Sequence, residues 1–167
     1  IKYSPSGVQL WLRVLRYAQG TNANDIITDI NGNIYVTGAY TLGGGNFNYF
    51  TIKYNTIGDS NWVRTYNGSA NDNDEAYSVA LDDLNDIYIT GRSINSGSSW
   101  DYTTIKYDSN GIQKWTQIYS NQTINAEDVA NKIILDKNKN IYVSGLSKGV
   151  VGGPLDYVTI KYSQTVG

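Results

Sequence analysis

The chain has 167 residues, with 13 Lys+Arg against 15 Asp+Glu for a net charge of −2, and it contains neither cysteine nor histidine. That length suits one domain with a sizeable core or part of a larger repeat array, and the interspersed charge argues against nucleic acid or an anionic membrane surface as the main partner. Disulfides, thiolate metal sites and cysteine nucleophiles are excluded, and any catalysis would have to run on carboxylates, Tyr, Lys or a bound ion.

No apolar stretch approaches the roughly 20 residues of a membrane-spanning helix, and the N-terminus lacks the basic-then-apolar layout of a signal peptide. Membrane insertion is not expected, and no motif calls for a cofactor. Because the chain contains no Met, its translation start is expected upstream.

The chain opens on Ile1-Lys2-Tyr3, and the tripeptide returns at Ile52-Lys53-Tyr54, Ile105-Lys106-Tyr107 and Ile160-Lys161-Tyr162, at spacings of 51, 53 and 55 residues. In the first three copies a Gly follows (Gly7, Gly58, Gly111) and then a Trp (Trp11, Trp62, Trp115). Later in each unit come Asp29, Asp82 and Asp136. These precede Ile34-Tyr35-Val36-Thr37-Gly38, Ile87-Tyr88-Ile89-Thr90-Gly91 and Ile141-Tyr142-Val143-Ser144-Gly145. Independent positions recurring in register mark a single repeat array over 1–167, with units at approximately 1–54, 52–107 and 105–162.

In the second unit the pattern predicts strands over 76–81, 87–91, 102–107 and 113–119. The links at 82–86 and 108–111 are short and polar, and Asn and Gly there tolerate the positive φ of a tight hairpin. The strands are rich in Ile, Val, Thr, Tyr and Trp, and no 11-residue window carries a helical apolar stripe. A four-stranded meander of ~53 residues cannot bury both its faces alone, so it must stack on copies of itself. The expected fold is therefore all-β, with three four-stranded antiparallel repeats as blades of a β-propeller. Closed propellers usually have four to eight blades. The chain is thus expected to be a partial propeller within a longer array, or a protomer of an assembled ring closed by self-association.

The run from Asp101 to Gly111 (Asp-Tyr-x-Thr-Ile-Lys-Tyr-Asp-x-x-Gly), with Trp115, residues 130–136 and residues 140–145, resembles the bacterial β-propeller repeat called SBBP. The resemblance covers essentially the whole chain. It implies a propeller in a bacterial, secreted or cell-surface protein, and it supplies no agreed catalytic residues. The first unit departs most, with Thr28 where the others have Leu81 and Leu135. Its inner strand is expected to be less regular.

A meander places alternate connections on opposite faces. The tight turns share one face, and the longer stretches 39–48, 67–75, 92–101, 120–128 and 146–156 share the other. Long polar loops on a rigid scaffold are the usual place for binding. The expected ligand-binding residues there are Asn71, Asp72, Asp74, Glu75 and Arg92, with Glu127 and Asp128 at the matching place one unit later. No catalytic residue and no metal ligand is assigned.

Asp29-x-Asn31-x-Asn33 and Asp136-x-Asn138-x-Asn140 imitate the opening of a calcium loop. Ile34 and Ile141 stand where that loop needs Gly, so a hairpin turn is the preferred reading. Trp100 shares its repeat position with Phe47 and Leu155 and is read as packing. Lys53, Lys106 and Lys161 are expected on covered strands, where an ammonium needs a partner, and Asp29, Asp82 and Asp136 are the expected ones. The favoured function is a non-catalytic scaffold or binding module engaging a protein or glycan through the long-loop face. The alternative is a fragment of a carbohydrate-active propeller enzyme using carboxylates such as Asp74 and Glu127.

Overall fold

The computed structural model describes residues 1–16, 20–41, 43–121, 126–149 and 152–163. Within them lie thirteen strands: β1 (Lys2–Tyr3), β2 (Gln9–Trp11), β3 (Thr21–Thr28), β4 (Ile34–Tyr40), β5 (Asn48–Tyr54), β6 (Ser60–Tyr66), β7 (Asp74–Leu81), β8 (Ile87–Ile94), β9 (Trp100–Tyr107), β10 (Gln113–Tyr119), β11 (Asp128–Leu135), β12 (Ile141–Lys148) and β13 (Leu155–Tyr162). They form antiparallel sheets in the orders β1-β2, β3-β4-β5-β6, β7-β8-β9-β10 and β11-β12-β13. Each sheet is a simple meander, and the sheets stack as propeller blades without closing a ring.

The blades are phased differently from the tripeptide units. Each begins at an innermost strand (β3, β7, β11), and Ile-Lys-Tyr marks its third strand. The third blade has only three strands among the described residues, and β1-β2 is a hairpin equivalent to the third and fourth strands of a blade. Four-stranded repeats are therefore complete only in the first and second blades.

The inner strands share one device. In β3, β7 and β11 the register shifts between Ala23 and Asp25, Ala76 and Ser78, and Ala130 and Lys132, leaving one bulged residue in each. The bulge presses backbone onto the neighbouring strand. A Cβ on Gly91 would stand 2.0 Å from the Glu75 carbonyl oxygen. Gly38 and Gly145 meet the same obstacle, so the invariant end of each Ile-Tyr-x-x-Gly run is a steric requirement. Contrary to expectation, β3 is as long as β7 and β11 and carries the same bulge, so Thr28 does not disturb it. It differs in exposure, because no complete blade covers its outer face.

The core lies between blades. Tyr35 and Tyr49 of the first blade pack against Ala76, Val79, Ile87, Ile89 and Ile105 of the second. Ala80, Tyr88 and Tyr102 of the second repeat that contact with Ala130, Ile133, Ile141 and Val143 of the third. Burying these side chains contributes about 1.5–3 kcal/mol for each large aliphatic or aromatic group. The sheets are thus held by their neighbours more than by their own faces.

Candidate functional site

On the tight-turn face the repeated Asp side chains are consumed by their own hairpins. Asp29 Oδ1 accepts the Asn31 and Asn33 amides, and Oδ2 accepts Asn33 Nδ2 and the Tyr35 hydroxyl. Asp136 repeats all four bonds with Asn138, Asn140 and Tyr142. Burial opposes the Asp29 charge, yet these donors outweigh it and hold the carboxyl below its usual range. The calcium-like spelling is therefore a hairpin turn. Among the described residues, no group of three or more acidic side chains is placed to hold a metal.

The expected lysine–aspartate pairs are not formed. Lys106 Nζ meets Asp86 at 2.9 Å, not Asp82, and lies 5.0 Å from the Tyr88 ring centroid. Lys53 sits over Tyr35 and donates to the Ser109 carbonyl, and Lys161 sits over Tyr142. The Asp is unavailable because its oxygens already bind turn amides and the tyrosine hydroxyl. The tyrosine ring between them takes the cation instead.

At the outer edge, three side chains tie the first blade to the second. Lys53 Nζ, Trp62 Nε1 and Arg64 Nε donate to carbonyls of the 109–111 turn of the second blade. Lys2, Trp11 and Arg13 make the same contacts with Thr56 and Gly58 of the first blade. Arg13 and Arg64 were not foreseen; the shared Trp-x-Arg spelling was the available signal.

The long-loop face is a connected surface. Asn46 Nδ2 donates to the Asn71 carbonyl, the Phe47 amide to Asn73 Oδ1, and the Ser96 amide to Ser69 Oγ. Loops of adjacent blades are thus laced together. Of the loop residues, Leu42, 122–125 and 150–151 lie outside the described ones.

The expected ligand-binding residues separate into two groups. Asp74 and Asp128 are buried. Asp74 Oδ2 accepts the Gly68 amide at 2.7 Å, and Asp128 Oδ2 accepts the equivalent Asn121 amide at 2.9 Å. Each carboxylate latches the connection from the previous blade onto the start of an innermost strand. Burial raises the Asp74 carboxyl above its ordinary value, with the Gly68 amide acting against it. Asn71 and Glu127 are exposed and Asp72 is half-buried; Asn71 takes a left-handed φ of 52° at the loop tip.

Glu75 and Arg92 come together with two aromatics. Arg92 Nη2 meets Glu75 Oε1 at 3.2 Å, while the Tyr77 hydroxyl donates to Glu75 Oε2 at 2.6 Å. The guanidinium carbon lies 3.9 Å from the Trp100 ring centroid and 5.6 Å from that of Tyr77. Strand pairing sets this up, since Glu75 stands opposite Arg92 and Ile94 opposite Trp100. Tyr77 is the bulged residue of β7, which swings its ring toward Arg92. Burial, then the Glu75 carboxylate, raises the Tyr77 hydroxyl well above the ordinary phenol range. All four residues are half-buried at the loop-side edge of the second blade. Trp100 therefore packs against a cation, and Tyr77 was missed because a bulge cannot be read from alternation.

Nearer the axis, Asp25 of the first blade accepts Ser78 Oγ and the Val79 amide of the second and Lys132 Nζ of the third. Asp25, Ser78 and Lys132 occupy one repeat position, so the innermost strands converge there.

The family model for the SBBP beta-propeller repeat matches residues 62–97, from Trp62 on β6 through β7 and β8. An uncharacterized WD repeat-containing protein of Acanthamoeba polyphaga mimivirus is 30% identical over 100 residues, an alignment covering 49% of this chain and 7% of that protein. The chain thus spans a small fraction of the relative's length. Residues 62–97 are thus similar to an SBBP-type β-propeller repeat, and the antiparallel sheets on either side of them are arranged as propeller blades.

Proposed function

We propose that the chain is a non-catalytic binding module of an exported, secreted or cell-surface bacterial β-propeller protein, presenting its long-loop face to a protein or glycan. The single observation that carries this reading is the asymmetry of the Glu75–Tyr77–Arg92–Trp100 cluster. The same positions hold Asn22, Asn24, Ala39 and Phe47 in the first blade, and Val129, Asn131, Leu146 and Leu155 in the third. Residues repeated in all blades build the fold, whereas one ligand needs distinct groups at one place. An aromatic plane with a guanidinium on it and a carboxylate beside it suits the polar and apolar faces of a sugar or of a peptide side chain.

The test is a glycan array together with protein capture, using the purified chain and its Arg92→Ala and Trp100→Ala variants. Binding that disappears in both variants while their circular dichroism is unchanged supports the reading. A ligand bound equally well by both variants sinks it.

A further inference from the structure

The connections that enter the second and third blades are latched alike. The Gly68 amide donates to Asp74 Oδ2 and the Asn121 amide to Asp128 Oδ2, and each Asp stands opposite a serine of the next strand, Ser93 or Ser147. Gly68 and Asn121 are therefore equivalent, but only Asn121 brings a side chain. Its Nδ2 donates to Asp128 Oδ1 at 3.3 Å, to Ser147 Oγ at 3.2 Å and to the Lys148 carbonyl. In the third blade one carboxamide nitrogen thus sits among three oxygens.

In the second blade the same three oxygens converge beside a glycine. The point where a Cβ of Gly68 would stand lies within 2.7 Å of Asp74 Oδ1, Ser93 Oγ and the Ile94 carbonyl oxygen. Asp74 and Ser93 are fully buried, and neither Asp74 Oδ1 nor Ser93 Oγ has a well-aligned hydrogen bond. Among the described residues no Lys or Arg forms an ion pair with Asp74. Burial is accordingly the dominant influence on its carboxyl and raises it. A buried carboxylate is costly to keep charged without a cation or further donors.

We propose that Asp74 Oδ1, Ser93 Oγ and the Ile94 carbonyl oxygen bind a sodium ion in the second blade, at the place the Asn121 carboxamide fills in the third. All three donors are oxygens, which suits a hard cation. One carboxylate balances a single positive charge. Three protein oxygens fall short of the six to eight that calcium takes, and a buried corner cannot hold the several waters that magnesium keeps. The three oxygens close around the Gly68 Cα leave room for one small atom, which excludes an alkylammonium group. The first blade has no such site, because Thr21 and Tyr40 stand where Asp74 and Ser93 do. The ion ties the connection from the first blade to β7 and β8 at once. Glu75 and Arg92 are the next pair along this ladder, but the site stands without the loop-face reading.

Thermal melts in sodium chloride and in choline chloride at equal ionic strength test it. The melting temperature of the parent chain should rise by roughly 3–6 °C once sodium reaches about ten times its dissociation constant, and choline, too large to enter, should give no such rise. Potassium should act more weakly than sodium. Ser93→Ala removes one ligand and should abolish the sodium-specific shift, whereas Ser147→Ala, the same change in the third blade, should keep it. Gly68→Ala places a methyl group among the oxygens, and the sodium-23 line broadening produced by the parent chain should vanish with it. Equal melting temperatures in sodium and choline overturn the proposal, as does a larger shift in potassium. A sodium shift that survives Ser93→Ala or disappears with Ser147→Ala overturns it too. Line broadening unchanged by Gly68→Ala overturns it equally, which decides the matter where Ser93→Ala fails to fold.

Discussion

Arg64 Nε donates to the Gly111 carbonyl at 2.6 Å, tying the outer strand of the first blade to the tight turn of the second. The turn can come this close only because residue 111 has no side chain. Gly111 adopts φ +77°, and a Cβ there would lie 2.9 Å from Trp62 Cδ2. Gly111→Ala should therefore destabilise the chain by about 2–3 kcal/mol, combining left-handed strain with the displaced indole. Gly97 also has positive φ but open space around it, so Gly97→Ala should cost only about 1 kcal/mol. Urea unfolding of the two variants checks the order, and equal losses would remove the latch from the explanation.

Lys106 and Asp86 form a pair whose side chains are 14% and 18% exposed. Burial works against the lysine charge, but bonds to Tyr88 and Asp86 outweigh it and raise its pKa. Lys106→Met should destabilise by about 1–3 kcal/mol, because Asp86 is left charged and poorly solvated. A double-mutant cycle is the sharper measurement: coupling should appear between Lys106 and Asp86, with a smaller value between Lys106 and Asp82. A larger coupling to Asp82 would restore the pairing expected from sequence.

Asp25 gives the fold a specific acid sensitivity. Burial disfavours its charge, but the Val79 amide, Ser78, Lys132 and the Ile26 amide together lower the pKa from 3.8. A lowered carboxylate contributes stability that is present above its unfolded pKa and is lost as pH falls through the folded one. The stability difference between the parent chain and Asp25→Asn should hold steady from about pH 7 to 5 and shrink below about pH 4. Chemical denaturation across that range is the measurement, and a difference undiminished at about pH 2 would contradict the assignment.

Asp74→Ala should act on stability and leave ligand contacts untouched. It strands the buried Gly68 amide, at a cost of about 1–3 kcal/mol. Arg92→Ala should do the reverse, with a smaller loss of stability and a loss of ligand capture. Thermal melts beside binding measurements separate the two, and a binding defect in a fully stable Asp74→Ala would return that residue to the site.

Local patterning made the blades legible. Tyr35, Tyr88 and Tyr142 recur with the turns led by Asp29, Asp82 and Asp136 because a hairpin and its flanking strands are set by residues a few positions apart, and those interactions leave a repeat in the sequence. The loop-face cluster was only half legible. Glu75 and Arg92 stood out as charged loop-side residues, but Tyr77 joins them through a bulge and Trp100 through the pairing of β8 with β9. The same limit explains two of the differences from expectation. Asp74 looks like a loop carboxylate until the preceding connection folds over it, and Lys106 has two plausible acidic partners until the tyrosine ring decides between them. Composition and periodicity thus determined the strands, the turns and the repeat. Which polar side chains are buried, which cation meets which anion, and which faces stay open were decided by tertiary structure, because those outcomes depend on distances between blades that no spacing along one strand encodes.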